Sequence, residues 1–229
     1  MDSKKNCVLE INKKKNDKPY IIIGAGGHAK VVVDILYSQE KEIYGFVDDN
    51  RATLRNLKYL GNVGFLNTLS LEIKKNYYFI IAIGQCSIRR AIYEKLKIPN
   101  EFYGSAIHST ACISDYSFVS NGTVIMPNVV VNADALIGNH VILNTGCIID
   151  HDGEVDDFAH IAPGTCLTGG VSVGEGTLVG VGSRCVPLKK IGSWSIIGAG
   201  STVVSNIPDN VLAYGTPAKI MKEGINDEF

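Results

Sequence analysis

From Ile107 to Val203 the chain places an aliphatic residue at every sixth position, seventeen positions in all, with Cys185 the one non-aliphatic member. A helix repeats its apolar positions every 3.6 residues and an ordinary strand every two, so neither yields this spacing over nearly a hundred residues. A six-residue period predicts a parallel β-helix, in which each coil stacks on the one before and buries one apolar ladder per edge. Three hexads, 18 residues, make one coil of a triangular prism. Coils are strand neighbours and stack ~4.8 Å apart. Glycine follows the aliphatic position at Gly138, Gly174, Gly180, Gly192 and Gly198, which predicts corners with unusual backbone angles. Two residues before it the side chain is small, as at Thr123, Ala135, Ala159, Thr165, Thr177, Ser183 and Ser195. Lys189 breaks that rule, which predicts an outward bulge at Pro187–Lys190, and Asp209 ends the ladder, so the prism is expected to end near Ile207.

Residues 20–104 follow a different grammar. Tyr20–Ile23 reads as a strand running into Gly24-Ala25-Gly26-Gly27-His28, and Ala29–Tyr37 has helical spacing. Ile43–Val47 is a second strand, ended by Asp48-Asp49. Tyr78–Ile83 is a third, ended by Gly84, and Ser87–Lys97 reads as a helix capped by Ser87 and stopped before Pro99. This order predicts a small βαβ parallel sheet, Rossmann-like, ahead of the β-helix. The expected organisation is a polar tail at 1–19, a βαβ domain at 20–104, a β-helix at 105–206 and a C-terminal tail at 207–229.

The balance of 22 Lys+Arg against 23 Asp+Glu excludes a polyanion as the main partner, nucleic acid or anionic membrane alike. The Lys13-Lys14-Lys15 run sits in a polar tail without an apolar export segment, and no stretch is apolar enough to span a membrane. The six cysteines form no CxxC pair and are expected to be free thiols, Cys147, Cys166 and Cys185 as packing. A cytoplasmic protein is expected.

Glycines between a strand and a helix let backbone N–H groups approach a phosphate, and an acidic pair at the next strand end can bond ribose or base. His28 follows the glycines as a ligand contact or a structural histidine. Four histidines fall in the coil (His108, His140, His151 and His160), but no two differ by a multiple of 18, and no metal site is expected. His151 lies between Asp150 and Asp152. A carboxylate bonded to one imidazole nitrogen fixes the tautomer and raises the basicity of the other, as a general base requires. One coil on stands Gly169, followed by Gly170, so the Gly169 N–H is expected to be open to an oxyanion. His151 and His160 are half a coil apart and point to different sides. They meet in one site only if a second subunit supplies one of them, which predicts a homotrimer.

The hexads, together with the ending Tyr214-Gly215-Thr216-Pro217-Ala218-Lys219, resemble the hexapeptide-repeat acyltransferases. With strand-GAGGHAK-helix, Asp48-Asp49, and Ala82-Ile83-Gly84 followed by Arg89, the chain resembles the sialic-acid O-acetyltransferase/nucleotide-sugar N-acetyltransferase family over residues 20 to about 221. That resemblance implies a left-handed β-helix and acetyl-CoA as co-substrate. The implied acceptor is the 4-amino group of a nucleotide-linked 4-amino-4,6-dideoxy sugar. It makes His151 the base and Asp152 its polarising acid, with Asp150 a second candidate because some relatives carry Glu at the position of Asp152. It puts His160, Val181, Ala199 and Lys219 at acetyl-CoA, and Gly26, Gly27, His28, Asp48, Asp49, Gly84 and Arg89 at the nucleotide sugar. Sialic acid O-acetylation, or a non-catalytic sugar-binding scaffold, are the alternatives.

Overall fold

The structure is a computed structural model that describes residues 18–225. Cys7, the Lys13–Lys15 run and nearly all of the expected 1–19 tail lie outside the described residues, as do residues 226–229. The first unit is a four-stranded parallel sheet of order β3-β2-β1-β4, built from β1 (Tyr20–Ile23), β2 (Ile43–Val47), β3 (Tyr59–Gly61) and β4 (Tyr78–Ile81). Helix α1 (Gly27–Ser38) crosses between β1 and β2. The short helices α2 (Phe65–Thr68) and α3 (Leu71–Lys74) connect β3 to β4, and α4 (Cys86–Leu96) follows. Neither β3 nor these two single-turn helices was anticipated from sequence. Ser87 does not cap α4: the cap position is Gln85, without a side-chain bond, and the helix ends at Lys97 in the left-handed region.

From Ala106 the chain becomes a left-handed parallel β-helix of two-residue strands in three sheets. Each strand pairs with those 18 residues away, as Ile142 with Val124 and with His160. The second residue of each strand is the hexad aliphatic. From Ile125 to Val203 these positions point inward and are buried, making one continuous core. The first residue points outward. On one face the outward Ala106, Val124 and Ile142 are buried because α1 lies across them, and a single cluster joins Ala29, Val32 and Val33 to these positions. The α/β unit is thereby seated on the first coils.

The corners correct two expectations. The left-handed backbone falls three residues after the aliphatic position, at Gly146, Gly164, Gly170, Gly182 and Gly200, and also at Asp134, Asp152, Phe158 and Leu188. Glycine directly after the aliphatic residue answers crowding instead. A Cβ on Gly138 would lie 2.6 Å from Asp157 Oδ1 and 2.7 Å from Asp157 N, because the next coil crosses immediately over it. The small residue two before the aliphatic is buried, and its hydroxyl reaches across the coil to a corner carbonyl. Thr123 donates to Gly138 O at 2.8 Å, Thr165 to Gly180 O at 3.0 Å and Ser183 to Gly198 O at 3.0 Å.

Lys189 produces no bulge: Leu188 N donates to Gly169 O and Ser172 N to Lys189 O, both at 3.0 Å. Nor does the prism end at Ile207. The last turn is two residues shorter, so Ile207 bridges Ile191 and Ala213 aligns with Ile197. Asp209 broke the hexad count through that contraction. Val211–Gly215 then joins the sheet, and Ala218–Glu223 folds back antiparallel along it. Of the cysteines, Cys147 and Cys185 are buried as expected, whereas Cys166 is an outward strand residue and half-buried.

Candidate functional site

Three places on the molecule carry the predicted residues. The first is a cleft of about 250 Å³ at the end of the small sheet, floored by the glycine turn and by Ala82–Gly84. Helix α1 opens at Gly27 with Gly26 as its cap, without a side-chain cap bond and without an acid in the first turn. The positive end of the helix therefore faces the cleft, with no acid of its own first turn against it. Nothing lies within 4 Å of a Cβ built on Gly26, Gly27 or Gly84, so these glycines border open space. His28 also lines the cleft; its Nε2 is buried without a partner among the described residues, and burial pushes its pKa down to about 3.

Both acids of the pair also hold the backbone. Asp48 borders the cleft, but its carboxylate is taken by backbone. Oδ2 accepts from Ala25 N at 2.7 Å, and Oδ1 accepts from Asn50 N at 2.8 Å and Arg51 N at 2.7 Å. Asp48 thus ties the glycine turn to the end of β2. Asp49 lies outside the cleft and accepts from Val63 N at 2.8 Å.

Arg89 is a further correction. It is 1% exposed and reaches no ligand space. Its guanidinium donates to Ile83 O and Gly84 O on the cleft side and to His140 O and Phe158 O on the β-helix side, at 2.5–3.0 Å. It is the polar rivet between the two units.

His160 occupies the same junction. Nδ1 donates to Gly84 O at 3.2 Å, and Nε2 accepts from Asn144 Nδ2 at 3.1 Å; Asn144 Oδ1 in turn accepts from Thr145 N at 2.8 Å. Burial, then the Arg89 charge, lowers its pKa to about 4, so the ring is neutral. Asn144 was missed in the sequence, although it sits one residue past a ladder position, where a side chain can cap the next N–H.

The second place is the corner between the two β-helix sheets that α1 does not cover. His151 is 63% exposed by side chain, and its Nδ1 lies 2.7 Å from Asp152 Oδ2. Asp152 holds a left-handed φ of +56°, which swings its carboxylate back alongside the preceding ring. Asp150 serves the backbone and the coil below instead. Its Oδ1 accepts from Asn132 Nδ2 at 2.7 Å and from His151 N at 2.8 Å. The Asp152 hydrogen bond, followed by the Asp150 charge, raises the His151 pKa. Nε2 is the nitrogen left free to take a proton.

Gly169 stacks one coil above. A Cβ there would lie 2.6 Å from His151 Cε1 and 2.7 Å from Nε2, so only glycine leaves the ring its place. Among the described residues nothing accepts the Gly169 N–H, because Thr168 turns its hydroxyl to Cys185 O at 2.7 Å.

The third place is the corner column holding Val181 and, one coil on, Ala199, both exposed. Their N–H groups are also unaccepted among the described residues, since glycine precedes each and offers no side chain to cap it. Lys219 is exposed on the strand that folds back beside this corner, where Thr216 approaches Thr202. His160 lies on a strand of the sheet that α1 covers and His151 in the turn at a corner between the other two sheets, so the two point to different sides, as the half-coil spacing requires.

Residues 20–96 match the PglD N-terminal domain family. Over 220 residues the chain is 29% identical to the GDP-perosamine N-acetyltransferase of Escherichia coli O157:H7, covering 89% of this chain and 96% of that one. It is similar to the crystal structure of PerB from Caulobacter crescentus in complex with CoA and GDP-perosamine, with 36% identity, a TM-score of 0.82, and coverage of 89% of this chain and 97% of that one. It is also similar to the acetyltransferase domain of PglB from Neisseria gonorrhoeae in complex with acetyl coenzyme A, with 32% identity, a TM-score of 0.82, and coverage of 90% and 100%. The left-handed coil, the glycine-turn unit seated on its first turns and these full-length likenesses together make this chain a member of the nucleotide-sugar N-acetyltransferases of the hexapeptide-repeat acyltransferase family.

Proposed function

We propose that this chain transfers the acetyl group of acetyl-CoA to the 4-amino group of a nucleotide-linked 4-amino-4,6-dideoxy sugar, directly and with His151 as general base. The carrying observation is the 2.7 Å bond from His151 Nδ1 to Asp152, under a glycine whose N–H is free. The amine attacks the thioester carbonyl carbon while His151 Nε2 takes its proton. The Gly169 N–H donates to the oxyanion as the C–N bond forms. Collapse breaks the C–S bond, and coenzyme A leaves, taking the proton from the imidazolium. A positioned base and one oxyanion donor each contribute on the order of 10²–10⁴-fold, and the remainder is positioning.

Residues 20–104 hold the nucleotide sugar through the glycine turn, with the diphosphate at the start of α1. Residues 105–206 hold acetyl-CoA along Val181 and Ala199, close to Lys219. The His151 corner and the Val181–Ala199 column are different corners of the prism. One site therefore draws on two subunits of a homotrimer. Both substrates are cytoplasmic metabolites, which puts the enzyme there; among the described residues no helix is long and apolar enough to cross a membrane.

Coenzyme A release, followed with a thiol reagent over a panel of UDP-, dTDP- and GDP-linked amino and hydroxy sugars, tests the reading. Release with amino sugars alone supports it. Release only with hydroxy sugars moves the reaction to O-acetylation, and none with any sugar leaves a scaffold.

A further inference from the structure

Leu188 is an apolar side chain in an unusual setting. Its backbone is left-handed, φ +60°, a conformation that a branched side chain adopts at a cost of order 1 kcal/mol. The corresponding residues of the lower coils of this corner are Asp134, Asp152 and Gly170, types for which that backbone is cheap. The strain is not repaid by burial, since Leu188 remains 77% exposed. Its position follows from the register: it stands one coil above Gly170, two above Asp152, and folds back so that Cδ2 lies 2.7 Å from where a Cβ of Gly170 would be. Pro187 occupies the adjoining column over Gly169 and His151. An exposed leucine is thus held against the glycine pair whose first member offers the free N–H above His151.

Resting on the reading of Gly169 as the oxyanion donor, we propose that Leu188 is the specificity residue for the acyl group, walling the space beyond the carbonyl so that acetyl fits and longer acyl chains are rejected. An acyl carbon within reach of the Gly169 N–H and of His151 directs its methyl into the space bordered by Gly170 and the Leu188 tip. A further methylene there meets Leu188 Cδ. One methylene in an apolar pocket is worth roughly 10–200-fold in kcat/KM, which sets the size of effect to look for.

The test compares acetyl-, propionyl- and butyryl-CoA as donors to one nucleotide-linked amino sugar. The proteins are wild type, Leu188→Ala, which opens the space, and Leu188→Phe, which fills it. Because the side chain lies outside the core of its own chain, both variants should fold and assemble as wild type does, which circular dichroism and size-exclusion chromatography verify. The propionyl-to-acetyl ratio of kcat/KM should rise about tenfold or more in Leu188→Ala and fall below wild type in Leu188→Phe. Ratios within twofold of wild type in both variants overturn the assignment while leaving the acetyltransferase reading intact. A wild type that releases no coenzyme A from any donor overturns both.

Discussion

His160 Nδ1 donates to the carbonyl of Gly84 at 3.2 Å, and Arg89 donates to the same oxygen at 3.0 Å. The floor of the cleft at the end of the small sheet is thereby pinned to the β-helix from two directions. Through Asn144 and Thr145 the same bonds continue to the corner column that carries Val181 and Ala199.

Removing the Arg89 guanidinium should loosen this junction. Arg89→Met leaves the carbonyls of His140, Phe158 and Ile83 facing an apolar side chain while Gly84 O keeps His160, and each buried unpaired acceptor costs about 1–3 kcal/mol. A loss of ~3 kcal/mol or more is expected in urea denaturation. A drop below ~1 kcal/mol would mean that the apolar seat of α1 alone holds the units together.

His151→Asn should lower kcat by ~10²–10⁴-fold with both substrates still bound, the loss of a general base. Retention of a tenth of wild-type kcat would remove His151 from the mechanism.

Asp152 raises the His151 pKa, and the base works only when neutral, so kcat/KM should rise with pH through an ionisation above the ordinary 6.5. Asp152→Asn keeps a residue that tolerates left-handed backbone but removes the carboxylate. That limb should move to lower pH, with kcat reduced ~10-fold or more. Comparison of the two profiles separates this limb from titration of the substrate amine; an unmoved limb would assign it to the substrate.

Gly169→Ala puts a methyl where the His151 ring now lies, without backbone strain, since Gly169 is not left-handed. The exposed ring can swing aside, so melting should change little while kcat falls ~10²-fold or more. Gly138→Ala should do the opposite. It meets backbone that cannot move and should cost ~1–3 kcal/mol in stability, with its effect on catalysis confined to unfolding.

Three histidines are kept neutral by burial: His28 and His140 to about 3, His160 to about 4. Their folded pKa values lie below the unfolded 6.5, so between these limits the unfolded chain binds more protons. Stability should therefore be full above pH 6.5 and fall as pH drops toward 4, by about 1.4 kcal/mol per pH unit for each histidine. His140, whose two ring nitrogens have no partner among the described residues, gives the clean control. His140→Asn should flatten the slope by one proton in urea midpoints measured from pH 7 to 4.

The β-helix and its 18-residue register were legible because one ladder position recurs without interruption, and that register alone set Gly169 over His151. The first strand, α1 and β2 were legible for the same reason, a clean period beside a glycine turn. Least legible was what a residue does for its backbone surroundings. Asp48 and Asp49 have the composition of ligand contacts, yet neighbouring N–H groups occupy them. Arg89 comes just after the Gly84 strand end, and besides the nearby carbonyls of Ile83 and Gly84 it serves those of His140 and Phe158, on coils fifty and seventy residues away. The glycine after each aliphatic position answers a crossing chain, which no local propensity records. Asp209 ended the count only because two residues are missing from one turn, and a fixed period cannot step over a deletion.

Because every functional corner is addressed by residue number modulo 18, the β-helix tolerates length changes unevenly. Removal or addition of a whole coil leaves each downstream residue on its own edge, raised or lowered by one layer. A six-residue change carries everything beyond it to the next edge of the prism, and a one-residue change turns the inward ladder out to solvent. The natural two-residue contraction before Ile207 falls after Ala199, beyond the last position that the proposed site takes from the coils, with only the closing hairpin and its Lys219 to follow.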